Sequence, residues 1–205
     1  NFGDVYAGYL AKKIGLPINK FIVATNQNDI LHRAISKGTY IVENVSETIS
    51  PSMDIQIASN FERLIYDLNS YNDKKTIEVM KSIKEKGEYT IDKESLDKIN
   101  IDFLSSRMDE NEVLKTIRTV YEKFNVVLDP HSAIGYGAFD KINLKGNNVV
   151  LATAHPCKFP DAIEKAINLN AELPNELAFV LGEKENYDII ENDLTKIKQH
   201  IKERI

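Results

Sequence analysis

Val149-Val150-Leu151-Ala152-Thr153-Ala154-His155-Pro156-Cys157-Lys158-Phe159 is the stretch on which the reading of this 205-residue chain turns. Its first five residues form a continuous apolar run closed by a hydroxyl, and a proline follows three positions later. Such a run predicts a strand buried on both faces, the kind found in parallel sheets between helical layers. Ligands of open α/β sheets bind beyond the carboxyl ends of strands, so Thr153 and the turn after it are where chemistry is expected.

Working outward, strand and helix signals alternate. Phe21-Ile22-Val23-Ala24 is a second short apolar run. Before it, Val5, Tyr6, Tyr9, Leu10 and Ile14 make one helical stripe, with Asp4 as a candidate N-cap and Gly15 and Pro17 as stops. A helix from Ile30 to Lys37 should end at Gly38, and a third carries Ile57, Phe61, Leu64, Ile65 and Leu68. Ile101 to Met108 reads as a strand. Asp109 and Glu112 have the spacing of a capping box before Val113, Ile117, Val120, Tyr121 and Phe124. Val126-Val127-Leu128 is too short to assign, Asp129-Pro130 starts another helix, and further helices are expected at Asp161 to Asn168 and around Leu194, Ile197 and Ile201. The fold class expected is α/β, with a largely parallel sheet flanked by helices.

Residues 71–100 break the rhythm. Lysines alternate with acids around a thin stripe of Ile77, Met80 and Ile83, which predicts a charged helical insertion with a solvated face rather than an anion-binding surface. Bulk properties exclude several classes. The net charge of −5 offers nucleic acid or an anionic membrane no attraction. Cys157 is the sole cysteine and has no internal disulfide partner, and no apolar run approaches the ~20 residues of a membrane span. A cytoplasmic protein is the expectation. The sequence opens without methionine and reads as helix by Val5, which suggests a piece of a longer protein.

Two junctions could carry chemistry. Asn1-Phe2-Gly3-Asp4 precedes a helix, where unpaired N–H groups and the helix dipole suit a phosphate and glycine allows close approach; a plain helix cap is the other reading. At Thr153 a hydroxyl could meet a neutral heteroatom without bringing charge. His155 could be a base or a ligand, but no partner stands at metal spacing, and a structural turn histidine is the simpler reading; Cys157 likewise reads as packing. Asp129, His131 and Ser132 are adjacent along the chain, whereas members of a hydrolase triad meet through the fold. Asn26, Asn28 and Asp29 either face a substrate or serve as turn and cap residues.

Taken in order, five of these segments resemble the threonine synthase family. Asn1-Phe2-Gly3-Asp4 with Val5-Tyr6-Ala7-Gly8 is similar to the end of its Gly-Asn-Phe-Gly-Asp phosphate loop and the helix after it. Phe21 to Asp29 resembles the following strand and turn, and Ser50-Pro51-Ser52-Met53-Asp54 its Ser-x-x-Met-Asp segment. Asp129-Pro130-His131-Ser132-Ala133 resembles its Glu/Asp-Pro-His segment, and Thr153 to Phe159 its Thr-Ala-His-Pro-x-Lys-Phe segment.

The resemblance implies the C-terminal part of a fold-type II pyridoxal 5'-phosphate enzyme that converts O-phosphohomoserine and water to L-threonine and phosphate. It implies that Asn1, Phe2, Gly3 and Asp4 cradle the cofactor phosphate and that Thr153 hydrogen-bonds the pyridine nitrogen, the two segments flanking one cofactor. The family's Schiff-base lysine lies in a Ser-Phe-Lys-Asp-like segment upstream of the phosphate loop. Nothing like it occurs here, so residues 1–205 are expected to need the missing N-terminal half as partner and to be inactive alone. The alternatives are a non-catalytic remnant acting as a binding module, or another fold-type II lyase.

Overall fold

The computed structural model describes residues 2–205. It divides into two compact units, residues 1–171 and 172–205. The first carries the sheet, and its order is α1 (Gly3–Lys13), β1 (Phe21–Thr25), α2 (Ile30–Lys37), β2 (Thr39–Ile41), α3 (Phe61–Leu68), α4 (Asp73–Lys86), β3 (Glu88–Thr90), α5 (Lys93–Asp102), β4 (Phe103–Arg107), α6 (Glu110–Phe124), α7 (Pro130–Ile142) and α8 (Pro160–Ile167). The class is α/β, as expected. β1 pairs with β4 in parallel, from Phe21 opposite Phe103 to Thr25 opposite Arg107, and β2 pairs with β3 antiparallel.

Side chains of a strand alternate between faces, so β1 feeds two cores at once. Val23 belongs to one, with Ile30, Leu31 and Ile35 of α2, Phe61 and Leu64 of α3, and Phe103. Ala24 packs on the other, built from Met108, Val113 and Ile117, Ala133 and Ile134 of α7, and Ile163 of α8. This explains why Phe21 to Ala24 lacks polar residues: side chains on both faces pack on a core.

Local signals placed most helix ends. Gly38 sits at φ 71°, a left-handed position that glycine adopts without strain, and closes α2 where expected. Asp109 and Glu112 form both halves of the capping box, and Asp129 caps α7 with Pro130 at its first position. The charged segment contains α4, β3 and α5 and is more than a solvated helix, because Ile83, Ile91 and Ile99 are buried in the first core. Its lysines stay outside, and Ile77 of the expected stripe is exposed.

Three expectations are corrected. α1 is capped by Phe2 rather than Asp4, which lies in the first turn. The strand expected from Ile101 begins at Phe103, because α5 runs through Asp102. Most instructive, residues 149–153 form no strand. A strand is defined by its ladder, and among the described residues nothing pairs with this run. Val150 packs against Gly135 of α7, where an added Cβ would lie 3.3 Å from its methyl, while Val149 and Leu151 face outward at 87% and 56% exposure.

The second unit holds a 3-10 stretch, Asn175–Gly182, and α9 (Leu194–Lys202), with Asp193 as cap and Asp188 paired to Arg204 and His200. Among the described residues no helix is long and apolar enough to cross a membrane.

Burial separates the buried Ile117 from the exposed Ile77. Ile117→Ala, at a position with no exposed surface, should lower unfolding stability by about 2–5 kcal/mol. Ile77→Ala should change it by less than about 0.5 kcal/mol. Urea titration followed by circular dichroism measures both.

Candidate functional site

A cleft opens between the start of α1 and the carboxyl end of β1. Phe2, Gly3, Asp4 and Val5 line one side, Val23, Ala24, Thr25 and Asn28 another, and Met53 and Ile55 a third. Phe2 shapes its floor. Its backbone is left-handed, at φ 65° and ψ 4°, a conformation that costs a non-glycine residue roughly 1–2 kcal/mol. Its ring offsets that cost: it is 97% buried, edge-on to Phe61 with centroids 5.2 Å apart and 5.8 Å from Phe103. Phe2 therefore serves this loop through its anchored ring and its backbone.

α1 begins directly after the turn at Phe2, and its first residues, Gly3, Asp4 and Val5, line the cleft. α4, α5, α6 and α7 each have a side-chain cap, from Asn72, Asp92, Asp109 and Asp129. α1 has none, like α2, α3 and α8: its first intrahelical bond is Tyr6 N–H to the Phe2 carbonyl, which leaves the N–H groups of Gly3, Asp4 and Val5 without an intrahelical acceptor. Gly3 lies close to Asn60, so a Cβ there would approach its Nδ2 to 3.3 Å. Uncapped amides at the positive end of a helix dipole fit an anion such as a phosphate. Asp4 is exposed, and its amide rather than its carboxylate suits that role. Asn1 lies outside the described residues.

α1 is held in place from its other end. Tyr9 donates to Asp67 of α3 over 2.9 Å, and Lys13 pairs with the same carboxylate. Burial and the neighbouring Asp67 push the Tyr9 phenol up to about 12. The far wall of the cleft is pinned by a polar hub on Asp54, which accepts from Asn26 Nδ2 at 2.7 Å, Asn28 Nδ2 at 2.9 Å, Thr48 Oγ1 at 2.7 Å and the Thr48 amide at 2.8 Å. Asn26 and Asn28 are 3% exposed, so they hold the Ser46–Asp54 loop against the sheet; Asp29 pairs with Arg33 and Arg107. Of the two readings open for these three residues, turn and cap is what the geometry gives, although Asn28 also borders the cleft.

Thr153 does not line the cleft but is tied to it. Its amide donates to Ser132 Oγ at 3.1 Å, and the Ser132 hydroxyl donates to Asp129 Oδ2. Asp129 Oδ1 accepts from His131 Nδ1 at 2.9 Å, and His131 Nε2 accepts from the Ser52 amide at 3.2 Å, next to Met53 in the cleft wall. Because Nε2 offers its lone pair to Ser52, the imidazole proton sits on Nδ1. Burial alone would raise the Asp129 carboxyl, but the hydrogen bonds from His131 and Ser132 outweigh it and hold that carboxyl below its usual range. Asp129, His131 and Ser132 thus do meet, as a buried brace between loops and a helix start at once. The sequence carried the signal in their adjacency but nothing to say what they would join. His155 accepts from the Cys157 amide and caps the 3-10 turn Pro156–Lys158, as a turn histidine does. No cluster that could hold a metal occurs among the described residues.

The family described as "Threonine synthase, C-terminal" matches residues 132–201. Threonine synthase of Pseudomonas aeruginosa is 40% identical over 98% of this chain and 44% of its own length. The chain matches the C-terminal portion of threonine synthases. A solved structure described as pyridoxal-phosphate-bound threonine synthase from Brucella melitensis is 40% identical and superposes with a TM-score of 0.88 over 99% of this chain and 44% of that one. The yeast threonine synthase structure is 36% identical, with a TM-score of 0.83 over 98% of this chain and 45% of that one. The chain therefore spans less than half the length of the relatives it matches.

Asp129 has its carboxyl lowered in the folded state, so its contribution to stability is present above the ordinary aspartate value near ~3.9 and is lost as pH falls through the folded value. Asp129→Asn should lower stability at pH 7 by about 1–3 kcal/mol and flatten its fall as pH drops below the ordinary aspartate range. Denaturation midpoints measured across that range test both.

Proposed function

We propose that this chain supplies the phosphate-binding and pyridine-binding walls of a threonine synthase, which converts O-phosphohomoserine and water to L-threonine and phosphate. The observation that carries this reading is the uncapped amino terminus of α1 facing a cleft at the carboxyl end of β1. It occurs in a chain that superposes closely on a pyridoxal-phosphate-bound threonine synthase. The partner is the N-terminal half, with its cofactor-holding lysine. Residues 1–205 are read as one C-terminal portion in which 71–100 is a helical insertion.

The residues present fit pyridoxal phosphate. The Gly3, Asp4 and Val5 amides take its phosphate at the start of α1, together with Asn1 as the resemblance implies. Thr153 takes its pyridine nitrogen. When bound, the cofactor supplies an electron sink for charge developing on the amino-acid carbons. Thr153 tunes that sink: a neutral hydroxyl leaves the nitrogen largely unprotonated, whereas a carboxylate there would favour the protonated form. Phe2 keeps the phosphate loop rigid through its buried ring, and the Asp54 hub fixes the opposite wall, so neither has to be ordered when ligand arrives.

In the complete protein loaded with pyridoxal phosphate, phosphate release from O-phosphohomoserine should be readily measured, and the 1–205 chain alone should show none. Thr153→Ala should lower kcat on the order of tenfold while cofactor occupancy by absorbance stays nearly full, since one neutral hydrogen bond is worth about 1 kcal/mol of binding. Thr153→Asp should be slower still. Absence of phosphate release by the complete protein would remove the assignment.

The outward-facing Val149 and Leu151 give a second expectation for the complete protein. The run should pair with a strand of the N-terminal half, so the amides of Val149 to Ala152 should exchange with solvent far more slowly there than in the 1–205 chain. Hydrogen exchange followed by mass spectrometry compares the two. Equal exchange would mean that this run stays unpaired.

A further inference from the structure

We infer that Asp129 and Ser132 are the positioning pair for Thr153, fixing its backbone so that its hydroxyl is presented in one direction, and that His131 couples this placement to the cleft wall at Ser52. The inference rests on the reading of Thr153 as the partner of the pyridine nitrogen.

Among the described residues, 149–153 pair with no strand, and Val149, Leu151, Ala152 and Thr153 are exposed. The hydrogen bond from the Thr153 amide to Ser132 Oγ is thus the polar tether of this run's end. A tether is only as firm as its anchor, and this one is firm. Ser132 is 2% and Asp129 1% exposed, and the Ser132 hydroxyl donates to Asp129, so its lone pairs face the Thr153 amide. Asp129 is itself fixed by the amides of His131 and Ser132 as cap of α7. The hydroxyl therefore has a single orientation: donor to the carboxylate, acceptor from the amide.

His131 extends the brace. Its Nδ1 proton goes to Asp129 and its Nε2 receives the Ser52 amide, while Phe159 packs on its ring with centroids 4.8 Å apart. One buried carboxylate thereby sets both Thr153 and the loop carrying Met53. The role is indirect: none of the three lines the cleft, and they act through the backbones of Thr153 and of Ser52, which precedes the cleft-lining Met53.

The test uses the complete protein, first without cofactor and then with pyridoxal phosphate. In the cofactor-free form, Ser132→Ala should speed hydrogen exchange at the Thr153 amide at least tenfold while protection within α6 is unchanged. In the loaded form it should shift the absorption and circular dichroism of the bound cofactor in the direction that Thr153→Ala does. It should lower kcat on the order of tenfold with KM little changed. The double variant should be no worse than Thr153→Ala alone, because both remove the same contact. Ser132→Thr, which keeps the hydroxyl, should restore the spectrum. If Ser132→Ala does not accumulate as folded protein, Ser132→Cys replaces it, being of similar size with a weak acceptor. An unchanged Thr153 amide, an unchanged cofactor spectrum, or additive losses in the double variant would each overturn the inference while leaving the proposed function standing. A Thr153→Ala protein with native spectrum and turnover would instead overturn the reading on which it rests.

Discussion

A carboxylate almost wholly removed from water must be met by donors, and at Asp129 that requirement organises half of the first unit. Leaving such a group unpaired costs several kcal/mol, far more than any one surface contact returns. Four donors from His131 and Ser132 converge on it: two backbone amides, the His131 ring and the Ser132 hydroxyl. Satisfying them forces α7 to begin at Pro130, with His131 and Ser132 turned inward. Once turned inward, those two side chains each have one valence left. His131 uses it on Ser52, and Ser132 uses it on Thr153. The cap of one helix thus fixes the relation between two loops distant from each other in sequence.

Asp54 repeats the device on the neighbouring loop. Its acceptors collect the side chains of Asn26 and Asn28 from the end of β1, together with Thr48, so the turn after the strand and the loop opposite it are joined without any regular structure between them. Loops built this way are preorganised, and a ligand that meets them does not bear the entropy of ordering them. Around the cleft, rigidity comes from buried polar groups on one side and from the buried Phe2 ring on the other.

What was legible in the sequence follows from how local each signal is. Gly38, the Asp109–Glu112 box and Asp129-Pro130 act within four residues of the ends they set, and each end appeared where it was read. The start of α1 did not, because Phe2 tolerates a left-handed backbone only by burying its ring against Phe61 and Phe103, about 60 and 100 positions away. The isoleucines of the charged segment were partly misjudged for a related reason. Ile77 and Ile83 look alike in a helical stripe, and only the packing of α4 on its neighbours decides that the second is buried. The brace through Asp129 was visible as residue types but not as geometry, since adjacency along a chain says nothing about what the outward valences will reach.

The run from Val149 to Thr153 shows the opposite case, where the sequence holds more than the chain can express. Its residue types are those of a doubly covered strand, yet within the described residues one face rests on Gly135 and the other meets solvent. Residue choice records the burial a segment experiences in the assembled protein, and a chain spanning 44% of its relatives' length need not contain the strand that would cover it. Strand pairing is non-local by nature, so apolar composition is retained even when the ladder is not. The same reasoning applies to Thr153 at the end of that run. Thr153 is exposed and follows a run that forms no ladder among the described residues, but its amide is anchored through the buried Ser132 hydroxyl to a carboxylate with no exposed side-chain surface. An amide held this firmly at the end of an exposed run is what the proposed role of Thr153 requires.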